Sequence, residues 1–121
     1  MLAHFFLPIH EINYRWIIDA NRWAYNPSKA AVTMLSKSFV KSLAPRNIAT
    51  NVVCPGLFLT KMNSFIAEEK VWSGAASMNP LKRNGLPADM AGLVVFLCSR
   101  AGSYVNGAVI PVDGGMVTGA N

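Results

Sequence analysis

A tyrosine and a lysine four residues apart, Tyr25 and Lys29, have the residue types and the spacing in this sequence that are best suited to chemistry. If both lie in the first turns of a helix, they share a face and their Cβ atoms are about 5 to 6 Å apart. An ammonium group at that distance stabilises the phenolate form of the tyrosine, which lets the phenol donate and accept a proton near neutral pH. The same spacing also occurs in ordinary surface pairs, so the surrounding sequence has to decide between the two interpretations.

The sequence after Tyr25 predicts a helix that would carry both side chains. Pro27 lies where the first helical turn tolerates a proline. Pro45 follows Ala44 and ends the periodic stretch. Between the two prolines, apolar residues recur at helical spacing, at Val32, Leu35, Phe39 and Leu43.

Downstream of this helix, the sequence predicts two strands and a second helix. Residues 48–54 are rich in β-branched side chains and are stopped by Pro55 and Gly56, which is typical of a buried strand. Residues 88–100 predict a helix with Gly102 as its C-terminal cap, and residues 108–112 predict the last strand. Upstream, residues 14–18 favour a strand that ends only seven residues before Tyr25.

Four blocks of the sequence follow one another in a recognisable order. They are residues 24–31, which contain Tyr25 and Lys29, residues 55–60 (PGLFLT), residues 79–87 (NPLKRNGLP) and residues 107–115 (GAVIPVDGG). In this order and at these distances, the blocks resemble the C-terminal half of the short-chain dehydrogenase/reductase family. The resemblance runs from residue 24 to residue 115, about three quarters of the chain.

The resemblance implies an α/β fold, namely the C-terminal portion of a Rossmann-like, doubly wound parallel sheet with the N-terminal dinucleotide-binding half missing. The family's glycine-rich turn, which cradles the dinucleotide pyrophosphate, has no match here. Its catalytic serine has none either, because residues 1–24 contain no serine or threonine. We therefore divide the chain into an atypical segment, residues 1–24, and the C-terminal part of the family's domain, residues 25–121. An incorrect gene start, an unspliced exon boundary and a genuine truncation all remain open as explanations.

The function implied by the resemblance is that of an oxidoreductase that transfers a hydride between a carbonyl and an alcohol with NAD or NADP, NADP being slightly preferred. Tyr25 would exchange the proton with the substrate oxygen, while Lys29 would assist it and hold the nicotinamide ribose, so that both would also contact the cofactor. The sequence looks most similar to 3-oxoacyl-thioester (acyl carrier protein) reductases. The residues that look like the family's nicotinamide-side loop are Pro55, Gly56, Leu57 and Thr60.

Residues 57–86 mix apolar side chains with charge and glycine, which suggests a helical flap with an apolar underside. In the family, such a flap closes over an apolar substrate; ordinary packing under a loop is an equally good interpretation. We give the turn Asp113-Gly114-Gly115 no chemical role. The residues that we expect to line the flap are Phe58, Met62, Phe65 and Trp72.

Three interpretations of the whole chain stay open. The first is an NAD(P)-dependent oxidoreductase, and the second is a truncated, non-catalytic fragment that associates with full-length subunits of the same family. The third is an incomplete gene model. Because the glycine-rich turn and the serine are unmatched, we expect the isolated chain to be inactive. Two strands are marginal by themselves, and the apolar surface that they would leave exposed predicts association.

The composition indicates which kinds of partner and which cellular compartment to expect. The net charge of +5 is spread along the chain, which indicates solvated helix faces rather than a nucleic-acid interface, and the 52% apolar content suits the buried layers of an α/β protein. We expect Cys54 and Cys98 to be small core residues of a protein in a reducing compartment. His4 and His10 lack the cysteine or carboxylate neighbours that a metal site needs. Without a signal peptide or a membrane span, we expect a cytoplasmic protein. Its expected partners are a small carbonyl or alcohol substrate and further copies or other subunits of the family, with no nucleic acid and no membrane.

Overall fold

A computed structural model describes residues 3–8, 24–61 and 69–117 of the chain. Strands and helices alternate along these residues, with two helices between the second and third strands. Two single turns of 3-10 helix follow the first and the third α-helix, at Ala44–Arg46 and Arg100–Gly102. The main elements are β1 (Ala3–Pro8), α1 (Tyr25–Leu43), β2 (Ile48–Pro55), α2 (Glu69–Met78), α3 (Pro87–Cys98) and β3 (Val109–Val112).

The three strands form one parallel sheet in the order β1-β2-β3. Since β2 is the central strand, its two faces hold the core: Val52 and Cys54 point to one face, Ala49 and Val53 to the other, and all four are buried. A short strand that is covered on both sides reads as a nearly continuous apolar run, as this one does. The parallel α/β arrangement confirms the fold class expected from the sequence.

Two polar residues of β2, Thr50 and Asn51, are as buried as its apolar ones. The Asn51 amide donates to the carbonyl of Val105 at 2.9 Å and accepts from the N–H of Ala108 at 3.0 Å. The N–H of Thr50 donates to the Asn106 side chain at 2.9 Å. These bonds tie β2 to the loop before β3, and they satisfy amide groups that would be costly to bury alone.

Helix α1 runs antiparallel to β2. Val32, early in the helix, packs against Val52 and Cys54 near the carboxyl end of the strand. Val40, two turns later, lies beside Gly107, whose N–H donates to the carbonyl of Thr50 nearer the start of the strand. Moving along the helix therefore means moving back along the strand, and the N-terminus of α1 lies at the carboxyl edge of the sheet.

The sequence-based boundaries agree with the structure within two residues for most elements, but two expectations were wrong. Gly102 does not cap α3: the cap is Ser99, whose side chain accepts from the N–H of Ala101, and Gly102 lies in the following 3-10 turn. A strand also lies at Ala3–Pro8, where the sequence predicted none, and it pairs with β2 along its whole length. The strand favoured at residues 14–18 lies outside the described residues.

In the part of the chain that the structure describes, no helix is both long and apolar enough to cross a membrane. Across the same residues, no three histidine, cysteine, aspartate or glutamate side chains cluster in a way that could hold a metal ion. Cys54 is buried, whereas Cys98 is exposed and so does not fit the core position expected for it.

Candidate functional site

Tyr25 and Lys29 share one face at the start of α1, as their spacing predicts. The Lys29 ammonium lies 5.4 Å from the centroid of the Tyr25 ring, within the range of a cation–π contact. Tyr25 is the first residue of the helix and keeps 37% of its side chain exposed. The pair is therefore both preassembled and accessible.

The antiparallel packing of α1 places this pair at the carboxyl edge of the sheet. Tyr25 precedes Val32 by two helical turns, about 10 Å, and Val32 already packs against Val52 and Cys54 near the end of β2. The loop that begins at Gly56 leaves the sheet at the same edge. In open parallel sheets, ligands bind outside the carboxyl ends of the strands, so the pair and the loop lie where a ligand is expected.

Gly56 holds the loop after β2 tightly against β3. Its N–H donates to the carbonyl of Val112 at 2.8 Å. A Cβ atom at this position would lie 2.6 Å from the Cα atom of Asp113, closer than side chains come to a backbone. Glycine is thus required here by the close approach of two chain segments, and Gly56 fixes where the predicted nicotinamide-side loop begins.

The next residues of the loop pair with the segment before α3. Phe58 forms a parallel β-bridge with Gly85, and the N–H of Gly85 donates to the carbonyl of Leu57 at 3.0 Å. The Phe58 ring covers Gly85 so closely that a Cβ there would lie 2.5 Å from it. Thr60, farther along, is exposed. The Gly56 N–H and the Leu57 carbonyl are therefore engaged within the protein, and a ligand would meet other groups of the loop.

An open cavity of about 550 Å³ lies beside this loop. Its size is within the range of small-molecule sites. The cavity is bounded by the loop after β2, the segment between α2 and α3, and the end of β3. Its lining is apolar at Leu57, Phe58, Leu81, Pro111 and Val112, and polar at Asn79, Arg83, Asn84, Asp89 and Asp113.

Asn79 connects two walls of the cavity. It is only 4% exposed, and its amide donates to the carbonyl of Asp113 at 2.7 Å while its oxygen accepts from the N–H of Leu81 at 2.8 Å. Gly114, in the left-handed region with φ of 67°, packs directly on the Asn79 side chain. Asp113 in turn accepts from the N–H of Gly115 at 2.9 Å. The turn after β3 is therefore held in one position.

Asn84 lines the same cavity and is 7% exposed. Its amide nitrogen donates to the carbonyl of Trp72 at 2.8 Å. This bond fixes the orientation of the amide, since a carbonyl can only accept. The oxygen of Asn84 is buried and accepts no hydrogen bond from any residue that the structure describes.

An ion pair closes the remaining wall. Both terminal nitrogens of Arg83 contact the carboxylate of Asp89, at 2.7 and 2.9 Å. Asp89 also accepts from the N–H of Leu86 at 2.8 Å, which caps the start of α3. The Arg83 hydrogen bonds, followed by the bond from Leu86, lower the pKa of Asp89 to about 2, and the same pair raises the pKa of Arg83.

The structure brings together only some of the residues singled out in the sequence. Tyr25 and Lys29 lie at the same edge as the loop that begins with Pro55 and Gly56. The next two residues of this loop, Leu57 and Phe58, line the cavity. Trp72 is half-buried in α2, whereas Met62 and Phe65 lie outside the described residues. Sequence reasoning assigned no role to the polar lining of the cavity; its signal was the block of residues 79–87, which contains three of the five polar lining residues, Asn79, Arg83 and Asn84.

The family model described as enoyl-(acyl carrier protein) reductase matches residues 14–117. The chain belongs to the short-chain dehydrogenase/reductase family. This confirms the family indicated by the four sequence blocks. The match begins before residue 25, so it includes part of the segment that we expected to be atypical; the division at residue 24 stays a prediction.

In alignments with similar proteins, almost all of this chain is matched, whereas less than half of the similar protein is matched. The 3-oxoacyl-(acyl-carrier-protein) reductase MabA of Mycobacterium tuberculosis is 42% identical over 92% of this chain and 44% of its own length. The structure of Pseudomonas aeruginosa RhlG in an active-site complex with NADP superposes with a TM-score of 0.81 at 34% identity, covering 95% of this chain and 46% of that one.

A third similar structure is described as an NAD(P)-dependent gluconate 5-dehydrogenase from Beutenbergia cavernae with bound NADP. Its TM-score is 0.77 at 29% identity, with 96% of this chain and 46% of that chain covered. The chain thus spans less than half the length of each of these three relatives. The names of the Mycobacterium tuberculosis and Beutenbergia cavernae proteins give different substrates, so family membership by itself does not settle a substrate.

Proposed function

We propose that these residues supply the proton-transfer pair and the nicotinamide side of the active site in an NAD(P)-dependent oxidoreductase that interconverts carbonyls and alcohols. The observation that carries the proposal is the contact between the Lys29 ammonium and the accessible Tyr25 ring at the carboxyl edge of a parallel sheet. Surface pairs elsewhere on a helix would not coincide with the edge at which such sheets bind ligands.

In this proposal, Tyr25 gives its phenolic proton to the substrate oxygen as a carbonyl is reduced, and takes it back in the reverse direction. Lys29, whose ammonium lies 5.4 Å from the centroid of the Tyr25 ring, assists this transfer and holds the nicotinamide ribose. General acid–base assistance of this kind contributes about 10²- to 10⁴-fold to a rate. Their fixed contact means that little reorganisation is needed at the moment of transfer.

The residues at this edge fit a dinucleotide cofactor, which supplies the hydride when bound. The Lys29 ammonium, the backbone between Pro55 and Leu57, and the Thr60 hydroxyl are the groups that would hold its nicotinamide end. The fit is supported by the position of these groups at one edge and by the NADP in the titles of two similar structures. A slight preference for NADP remains part of the proposal.

A 3-oxoacyl thioester is the substrate class that we propose. It is supported by the name of the Mycobacterium tuberculosis relative and by the apolar part of the cavity next to the loop, where an acyl chain would be sheltered from water. We propose a cytoplasmic location and assembly with further subunits of the family.

The decisive experiment is NADPH-dependent reduction of a 3-oxoacyl N-acetylcysteamine thioester by the protein isolated from its natural source and by its variants. Tyr25→Phe is expected to lower kcat by at least about a hundredfold, because the proton donor is removed. Tyr104→Phe is the matched control, since Tyr104 is fully exposed. Equal rates in the two variants, or no reduction by the unaltered protein, would contradict the proposal.

A second candidate function is that of a non-catalytic chain that docks on full-length subunits of the family. Its support is the exposed apolar surface of α1, where Met34 is 62% and Leu35 is 50% exposed. We expect the 121-residue polypeptide alone to show no turnover, because none of its residues matches the family's catalytic serine. The intact mass of the natural protein decides: a mass near 13.1 kDa favours the docking function, and a mass about twice as large favours the enzyme.

A further inference from the structure

The layer between α1 and β2 encloses two hydroxyl groups. Ser36 is 1% exposed, and Thr50 is 0% exposed. Neither hydroxyl oxygen has a hydrogen-bond partner among the residues that the structure describes. A hydroxyl that is buried without a partner costs free energy, and such groups are normally paired with protein or with ordered water.

The packing of α1 on the sheet places Ser36 at the centre of the contact. Val32, Ser36 and Val40 follow one another at intervals of one helical turn, so they form a single row on α1. Val32 packs against the core side chains of β2, and Val40 lies beside Gly107. Ser36, between them, therefore faces the sheet as well. It is the one residue within α1, all of which the structure describes, that is buried.

Thr50 lies opposite Ser36 on the strand. Thr50, Val52 and Cys54 share the face of β2 that α1 covers, because side chains two residues apart point to the same side. Four helix residues advance about 6 Å and two strand residues about 6.6 Å, so the two rows keep in step. Because the elements are antiparallel, the step from Val32 to Ser36 leads from the level of Val52 and Cys54 to that of Thr50 and Val52. The two hydroxyls therefore lie in the same part of the layer.

The Ser36 hydroxyl also differs from those of the other serines and threonines in α1. Each of the others donates to a backbone carbonyl three or four residues earlier, which is a common use of such side chains in helices. The Ser36 hydroxyl makes no such bond and is left to pair across the layer. The residues that do bond back to the helix are Ser28, Thr33, Ser38 and Ser42.

From this arrangement we infer that one water molecule is enclosed between Ser36 and Thr50 and hydrogen-bonds to both hydroxyls, and that this contact fixes where α1 lies along β2. Serine is smaller than the valines one turn before and after it, which leaves room for a water molecule in the row. Apolar side chains pack without directional bonds, whereas a buried polar contact restricts distance and angle and so sets register. Ser36 and Thr50 are thus positioning residues for Tyr25 and Lys29; their effect on catalysis rests on the proposed function.

A crystal structure of the unaltered protein tests the water directly. At a resolution that shows ordered water, one molecule should lie within about 3 Å of both hydroxyl oxygens. A direct bond between the two hydroxyls would overturn the inference. So would a Ser36 hydroxyl that donates to the Val32 carbonyl with no water beside it.

Urea unfolding of Ser36→Ala, Thr50→Val and the double variant tests the same contact in solution. Each single substitution leaves the other hydroxyl without its partner, so it should lower the urea midpoint, and the double variant should unfold at a higher midpoint than either single one. Ser38→Ala is the matched control, because its exposed hydroxyl bonds within α1, and its midpoint should stay unchanged. Single substitutions that raise the midpoint, or effects that simply add, would show that no shared water couples the two hydroxyls.

The positioning role is tested with the double variant, in which both hydroxyls are removed. In its crystal structure, Tyr25 should be displaced relative to Gly56 by about 1 Å, a misplacement large enough to slow catalysis. In the natural protein, the double substitution should lower kcat for the 3-oxoacyl thioester about tenfold and leave KM nearly unchanged, since the cavity stays intact. A Tyr25 that keeps its place would contradict the positioning role, with or without turnover.

These outcomes separate the inference from the proposed function. An enclosed water, coupled substitutions and a displaced Tyr25 in a protein that reduces no carbonyl support the inference and contradict only the enzyme proposal. Reductase activity with a kcat that the double substitution leaves unchanged contradicts the positioning role and leaves the enzyme proposal standing.

Discussion

At the scale of single residues, the glycines of this protein differ in how much space a Cβ atom would have. A Cβ atom on Gly56 would lie 2.6 Å from the Asp113 backbone, whereas one on Gly92, within α3, would meet nothing within 4 Å. Gly56→Ala should therefore lower the free energy of unfolding by about 1 to 3 kcal/mol through overpacking. Gly92→Ala should raise it by about 0.5 to 1 kcal/mol, because alanine loses less entropy in a helix. Urea unfolding followed by circular dichroism gives both values, and effects of the same sign would show that the contact of Gly56 is not limiting.

Asn79 provides a second test at this scale, because it joins two walls of the cavity with both ends of its amide. Asn79→Ala should lower the free energy of unfolding by about 1 to 3 kcal/mol, since the Asp113 carbonyl and the Leu81 N–H lose their partner in a buried place. The control is Ser77→Ala, whose hydroxyl makes an exposed bond to the Gly74 carbonyl and should change stability by less than about 0.5 kcal/mol. If the two substitutions cost the same in urea unfolding, Asn79 does not hold the turn.

Tyr25 and Lys29 could be predicted from sequence because their meeting depends only on the local periodicity of a helix. The two buried asparagines could not, because each is defined by a partner at a distance. Asn79 is 34 residues away from Asp113 along the chain, and Asn84 is 12 residues away from Trp72. A single sequence shows an asparagine in a loop as a turn residue, which is its commoner use.

At the scale of elements, the ion pair at the start of α3 makes the stability of the helix start depend on pH. The pKa of Asp89 is about 2 in the fold, below its ordinary value of 3.8. A lowered carboxyl pKa stabilises the fold above the unfolded value, and this stabilisation is lost as the pH falls through the folded one. The unfolding midpoint of Asp89→Asn should therefore lie below that of the unaltered protein by a constant amount above about pH 5, and the gap should close between about pH 4 and pH 2.

Arg83→Met provides the control for this titration, because Arg83 is the main cause of the lowered pKa. In that background, Asp89→Asn should show a much smaller change of the gap with pH, leaving only the part due to the bond from Leu86. Both side chains are partly exposed, so added salt should also shrink the gap. A gap that stays constant down to pH 2 would show that the pair does not contribute to folding.

Local sequence patterns predict α1 and β2, whereas β1 depends on a strand far away in the sequence. The ends of α1 follow from two prolines and an apolar period, and β2 follows from β-branched residues that stop at Pro55. Strand β1 has only six residues and is defined by pairing with β2 some 45 positions later, in a register from Ala3 with Ile48 to Pro8 with Val53. Periodicity cannot show such a partner, so β1 was not predicted.

At the scale of the whole molecule, family membership could be predicted from sequence because four blocks keep their order and spacing. Which apolar side chains stay exposed to solvent could not be predicted. The described helices leave large apolar side chains in solvent on both α1 and α3, at Met34, Leu35, Val94, Val95 and Phe96. Exposed apolar side chains of this kind are typical of places where another protein surface docks. The sequence shows that these residues are apolar; only the packing shows that nothing in the described part of the chain covers them.

This exposed apolar surface predicts that the 121-residue chain self-associates as its concentration rises. Sedimentation velocity over a range of concentrations should show a rising average mass, and Met34→Lys combined with Leu35→Lys should suppress the rise, because two charges then replace apolar contact area. The matched control is Ser38→Lys combined with Ser42→Lys, which adds the same charge to exposed positions of α1 without removing apolar area. Equal suppression by both pairs would indicate general charge repulsion, and suppression by neither would place the contact on α3. Only selective suppression by the first pair assigns association to α1, the helix whose first turn carries Tyr25 and Lys29, and so couples the assembly of the protein to the position of its proposed proton-transfer pair.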